Sequence, residues 1–247
     1  DAIEPLLDAI NLKPDLGAAH FTLGQTYATY ESFQDAIDEF KETLRLIPTY
    51  PEAYIELGNA YLKNRDYDLA IGAYQEAIEL NPGFFEAFTA IGVAYTESNR
   101  DKQAIEPLKN ALKINPDDSV AYQNLGIAYK NLGQHEEAID AFLELIRIRF
   151  KDPEAYFLLA SEYFVEDLYD DAIQRFKDAI RLDPDYIDAH FQLSQVYVAT
   201  GELEKSLKEF ELVVQIEPIH LEGHFRKGDI YQRLDNHKAA AVSFEKA

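Results

Sequence analysis

Pro14, Pro48, Pro82, Pro116, Pro184 and Pro218 stand on one 34-residue grid, and the single missing rung of that grid is Phe150. A fixed period of this size means that one supersecondary unit is repeated. Such a chain folds as an array in which each unit contacts only its neighbours, not as a globular catalytic domain. With each grid proline counted as residue thirty-two, units begin at Gly17, Pro51, Phe85, Ser119, Pro153, Ile187 and Leu221. The expected organisation is a single array over 1–247: a second helix of a preceding unit at 1–16, complete units at 17–50, 51–84, 85–118, 119–152, 153–186 and 187–220, and a truncated unit at 221–247.

Within a unit the recurrent positions have helical spacing. The eleventh residue is Tyr27, Tyr61, Tyr95, Tyr129, Tyr163, Tyr197 or Tyr231, and the eighth is Gly24, Gly58, Gly92, Gly126, Ala160, Ser194 or Gly228. Positions four, seven, eight and eleven mark one face of a 3.6-period helix. A second helix carries a small residue at position twenty (Ala36, Ala70, Ala104, Ala138, Ala172, Ser206, Ala240) and a large one four later (Phe40, Tyr74, Leu108, Phe142, Phe176, Phe210, Phe244). Small residues at eight and twenty let the two helices approach closely. The grid proline then stops the second helix, because its ring and missing N–H cannot continue it. The fold class is therefore all-α.

This pattern resembles the tetratricopeptide repeat, whose signature runs L-G-x2-Y, then A-x3-F, then P; the matching residues are Leu57-Gly58, Tyr61, Ala70, Tyr74 and Pro82, with equivalents along the whole chain. The resemblance implies a right-handed α-solenoid of 34-residue helix-turn-helix units, with the first helices lining a concave groove. Local departures carry their own expectations. Phe150 in place of the proline predicts that the second helix of the 119–152 unit runs on towards Pro153. Asp167 stands where Gly133 and Gly201 occupy the turns of other units. Pro5 and Pro107 should perturb the early turns of the second helices that hold them, because a backbone hydrogen bond is lost. Lys227 replaces the core aliphatic of the last unit, as though that end frays or meets another surface.

The resemblance directs positions two, five, nine, twelve and thirteen into the groove. Phe157, Phe164, Val165, Phe191 and Val198 then form an apolar cluster on two adjacent units, with Ser161 and Gln195 among them and Phe225, Ile127 and Asn124 on flanking units. Because positions four, seven, eight and eleven already supply the core, this cluster reads as a binding surface. The alternative is burial between neighbouring first helices. Glu52, Glu86, Glu154, Asp188 and Glu222 place an acid at position two in five units, either to complement a helix dipole or to form an acidic rim that draws in a basic ligand. Two family precedents are not met. The clamp for chaperone C-termini needs Lys at five and basic residues at two, and neither is present. The asparagine ladder needs Asn at six repeatedly, and only Asn124 supplies it.

The formal net charge is −22, with 45 acidic residues against 23 basic ones. Such a chain repels phosphate backbones and anionic membrane surfaces, so no nucleic-acid partner and no direct membrane insertion are expected. Cysteine is absent, which excludes disulfides and thiolate chemistry and leaves the compartment open, with the cytoplasm as default. Opening on Asp1 without a leader suggests a fragment or a mature product. His20, His190 and His224 sit at position four, where other units carry Tyr or Phe, and read as packing substitutes. His220 and His224 have the spacing of a metal pair, but His220 precedes the helix, and no metal or cofactor is expected. Neither a glycine-rich phosphate loop nor a nucleophile elbow is present, and no catalytic residue is assigned. The first functional reading is a non-catalytic scaffold or adaptor that holds a peptide or helix by apolar anchors flanked by acids. The alternatives are the regulatory, substrate-recruiting region of a larger enzyme such as a transferase, and an array that self-assembles end to end as a homo-oligomer.

Overall fold

In a computed structural model, which describes residues 2–247, the chain is entirely helical, with fifteen helices and no strand among the described residues. The first helices of successive pairs are α2 (Gly17–Thr29), α4 (Pro51–Lys63), α6 (Phe85–Glu97), α8 (Ser119–Asn131), α10 (Pro153–Val165), α12 (Ile187–Ala199) and α14 (Leu221–Arg233). The second helices are α3 (Phe33–Leu46), α5 (Tyr67–Leu80), α7 (Asp101–Ile114), α9 (His135–Ile148), α11 (Tyr169–Leu182), α13 (Leu203–Ile216) and α15 (His237–Phe244), and α1 (Ile3–Leu12) precedes them. The chain is an α-solenoid of tandem helix pairs. It divides into two compact units at the turn after α8, one ending at Leu132 and the other beginning at Gly133.

Helices approach closely where the sequence is smallest. A Cβ placed on Gly58 would lie 2.5 Å from the Tyr74 ring, and one on Gly92 would lie 2.4 Å from Leu108, so the large residue of the second helix occupies the space a side chain would need. Those large residues form the core: Phe40, Tyr74, Leu108, Phe142, Phe176 and Phe210 are all buried. Two further columns share this burial. Position three is Ala53, Ala87, Ala121, Ala155 and Ala189, each inaccessible to solvent, and position ten is buried in Ala60, Ala94, Ala128, Val196 and Ile230. Glu162 holds position ten of its unit and is also fully buried, with its Oε2 2.8 Å from His135 Nδ1.

Every turn between the helices of a pair passes through the left-handed region at the same position. The φ values are 59° at Glu31, 65° at Arg65, 58° at Asn99, 72° at Gly133, 57° at Asp167, 80° at Gly201 and 59° at Asp235. The backbone reversal is therefore dictated by the array, and glycine supplies it without strain in only two of seven turns.

The turns between pairs are fixed from position four. His20, His190 and His224 are buried, and their Nε2 atoms lie 3.1, 3.0 and 3.0 Å from the carbonyl oxygens of Pro14, Pro184 and Pro218. Tyr156 makes the equivalent bond, its hydroxyl donating to the Phe150 carbonyl at 3.2 Å. This corrects the expectation of a prolonged helix: α9 ends at Ile148 and is fourteen residues long, like α3, α5, α7, α11 and α13. The tie from Tyr156, with Asp152 capping the Glu154 N–H and Pro153 opening α10, sets the turn without the grid proline. Pro107 likewise leaves α7 unbroken, because Ala104, Leu108 and Ala111 around it are fully buried. Pro5 lies in the first turn of α1, where its missing N–H has no helical acceptor to lose.

Candidate functional site

In the second unit, α10, α12, α13 and α14 surround a cavity of about 280 Å³ lined by Phe164, Gln195, Val198, Ala199, Phe210, Arg226, Asp229 and Ile230. Helical spacing creates it. Val198 and Ala199 are three and four residues beyond Gln195 on α12, and Asp229 and Ile230 are three and four beyond Arg226 on α14, so each quartet shares a face. Phe210 and Ile230 are buried at its floor. Phe164 closes one side and is held in place by Tyr169, whose ring centroid is 6.1 Å away and whose hydroxyl donates to Asp167 at 2.6 Å.

The expected groove residues fall into distinct settings. Phe164, Gln195 and Val198 meet in this cavity. Phe157 and Phe191 stand outside it, half-buried. Phe157 packs 5.8 Å from Phe176 and 5.2 Å from Tyr186, while Phe191 packs 5.6 Å from both Phe210 and His220. Each therefore spans its own helix pair and the turn that ends it, as Phe21 does against Phe40 and Tyr50 in the first unit. Ser161 donates its hydroxyl to the Phe157 carbonyl at 2.8 Å. Val165 is exposed at the end of α10. Phe225, 50% exposed, rests 5.7 Å from Phe244 and borders an open depression with Leu221 and Glu222. Asn124 and Ile127 are half-buried on α8 of the first unit, where the Asn124 amide donates to the Val120 carbonyl.

The position-two acids are exposed in the first turns of their helices: Glu52 and Glu86 in the first unit, Glu154, Asp188 and Glu222 in the second. Burial, reinforced by the carboxylates of Glu154, Asp188, Asp152 and Asp183, pushes the Tyr186 hydroxyl up to about 12. Acidic side chains thus flank the tilted Phe157–Tyr186 ring pair. Glu222 holds Arg226, with Oε1 2.7 Å from Nε. Arg226, Asp229, Ala199, Phe210 and Ile230 were not among the expected site residues. Asp229 occupies position nine, and a search of that column for charge singles it out. His220 accepts the Gly223 N–H at 2.9 Å and serves as the N-cap of α14.

The family model of the cilia and flagella-associated protein 70 C-terminal domain matches residues 9–217, and a tetratricopeptide-repeat model matches 221–247. The chain belongs to this tetratricopeptide-repeat family. No curated protein matches the chain. Solved structures do. The C-terminal part of a tetratricopeptide-repeat-containing protein from Cytophaga hutchinsonii superposes with a TM-score of 0.79 at 16% identity, covering 92% of this chain and 93% of that one. MamA is 28% identical, with a TM-score of 0.61 over 63% of this chain and 91% of its own. YrrB, described as a TPR protein with an unusual peptide-binding site, is 20% identical, with a TM-score of 0.63 over 76% of this chain and 96% of its own. At 20% and 16% identity, the likenesses to YrrB and to the Cytophaga protein speak to the fold alone.

Proposed function

We propose that this tetratricopeptide-repeat chain is a non-catalytic interaction scaffold whose second unit docks a segment of a partner protein, extended or helical, through apolar anchors flanked by acids. The single observation that carries this reading is the cavity bounded by Phe164, Val198, Phe210 and Ile230, an apolar recess between packed helices. Recesses of this kind take apolar side chains of a bound helix or strand. Glu154, Asp188 and Glu222 supply the acidic rim of the same unit. The formal charge of −22 favours a basic segment over an acidic one. YrrB carries a peptide-binding site on the same fold, which supports the reading by analogy only.

The test is selection of displayed random 12-residue peptides against the full chain, followed by binding isotherms of the selected peptides. Phe164→Ala should weaken binding by about ten- to a hundred-fold, in the range of a central anchor residue. Val165→Ser, a change at an exposed side chain next in sequence to Phe164, should have a smaller effect and leave the melting temperature unchanged. Selected peptides whose affinity is indifferent to Phe164→Ala would move the docking surface elsewhere.

A further inference from the structure

A segment docked in the second unit meets a recess whose floor and rim differ in chemistry. The floor and walls are apolar: the side chains of Phe164, Val198, Phe210 and Ile230 hold no polar atom. The rim carries two charged groups of opposite sign, Arg226 and Asp229. Arg226 is committed to Glu222, its Nε 2.7 Å from the carboxylate, and so presents little net charge to a ligand. Asp229, one turn further along α14 and half-buried, forms no ion pair among the described residues. A carboxylate beside an apolar wall is poorly screened and attracts a cation more strongly than one in open water.

The size of the recess bears on what fills it. At about 280 Å³ it lies just below the roughly 300–1,000 Å³ typical of sites that enclose a small molecule, which suits one side chain of a larger ligand. The geometry points to a two-part subsite: one large apolar side chain of a polypeptide enters the recess, and a Lys or Arg of the same segment, within one helical turn, pairs with Asp229. This rests on the docking proposal above and specifies the partner that it leaves general. An acidic segment would bring like charge against Asp229 and Glu222, and repulsion of that kind discriminates between partners.

Parallel selections of random 12-residue peptides against the wild-type chain and against Asp229→Lys test the assignment. The wild-type pool should be enriched in a large apolar residue with Lys or Arg within four positions. The Asp229→Lys pool should exchange that cation for Asp or Glu. A wild-type-selected peptide should lose about ten-fold or more in affinity for Asp229→Lys, as expected when an attractive charge pair becomes a repulsive one. Asp229→Asn, which keeps the shape of the side chain, should show a smaller loss together with a weaker dependence on salt. A basic preference that survives unchanged in the Asp229→Lys pool would overturn the subsite. Peptides that depend on Phe164 and ignore Asp229 overturn this inference alone, whereas a wild-type selection that yields no binding peptide overturns the docking proposal itself.

Discussion

At the scale of single residues, the turn at position fifteen shows how an array imposes conformation on whatever side chain occurs there. Glu31 and Arg65 are exposed and hold φ near +60°, a region in which Cβ clashes with the backbone, while Gly133 and Gly201 meet the same requirement freely. Replacing Glu31 or Arg65 with glycine relieves the clash at the cost of some unfolded-state entropy. A net gain of about 0.5–1 kcal/mol per site is expected. Thermal melts of the two single variants and the double variant check this; a fall in melting temperature would mean that the side chains earn their place through contacts. Sequence reading finds these turns only where glycine marks them. The other five become legible once Gly133 and Gly201 are aligned with Glu31, Arg65, Asn99, Asp167 and Asp235. The aromatic residues at position five are a second case. Counting four core positions leaves Phe157 and Phe191 unassigned, yet each packs on the residue at position thirty-four, Tyr186 or His220. That coupling is visible in the sequence as Phe21 with Tyr50, and its absence as Thr89 with Asp118, whose side chains instead hydrogen-bond.

At the scale of helices, the histidines join three elements at once. His190 on α12 faces the carboxylate of Glu209 on α13 at 2.6 Å and the carbonyl of Pro184 in the preceding turn at 3.0 Å. His20 repeats this with Glu39 at 2.6 Å and Pro14 at 3.1 Å. An ionised carboxylate and a carbonyl both accept, so the His190 ring satisfies them fully only with both nitrogens protonated. Burial works against the charged form of His190, but the bonds to Glu209 and Pro184, with Asp185 nearby, outweigh it and raise its pKa. Its contribution to stability is therefore complete below the unfolded value near 6.5 and is lost as pH rises through the raised folded value. His190→Phe, the residue found at the same position as Phe88, should remove this component. Melting temperatures measured from pH 6 to pH 9 should fall more for the wild type than for the variant. Identical slopes would show that folding leaves the proton affinity of the imidazole unchanged. The histidines are legible in sequence as replacements for an aromatic. Their carboxylate partners are legible only by comparing position twenty-three across units, where Glu39 and Glu209 accompany His20 and His190.

At the scale of the whole molecule, the 34-residue period determines the helix pairs, their order and most of the core, because packing repeats wherever the columns repeat. The candidate site is less legible for the same reason: function resides in what departs from the repeat. Phe164, Gln195 and Val198 are recognisable as groove residues from their positions. The floor from Phe210 and Ile230 and the rim from Arg226 and Asp229 come from helices whose joint approach the sequence pattern does not rank. The central claim is that the recess of the second unit receives the apolar anchor of a bound segment. Its most direct measurement is photo-crosslinking with a selected peptide that carries the photoreactive group at its apolar anchor position, followed by mass-spectrometric mapping on the full chain. The account predicts adducts on α12 and α14, at Gln195, Val198, Ala199 or Asp229. Adducts confined to the exposed face of the second helices, at Lys177 or Lys208, would contradict it.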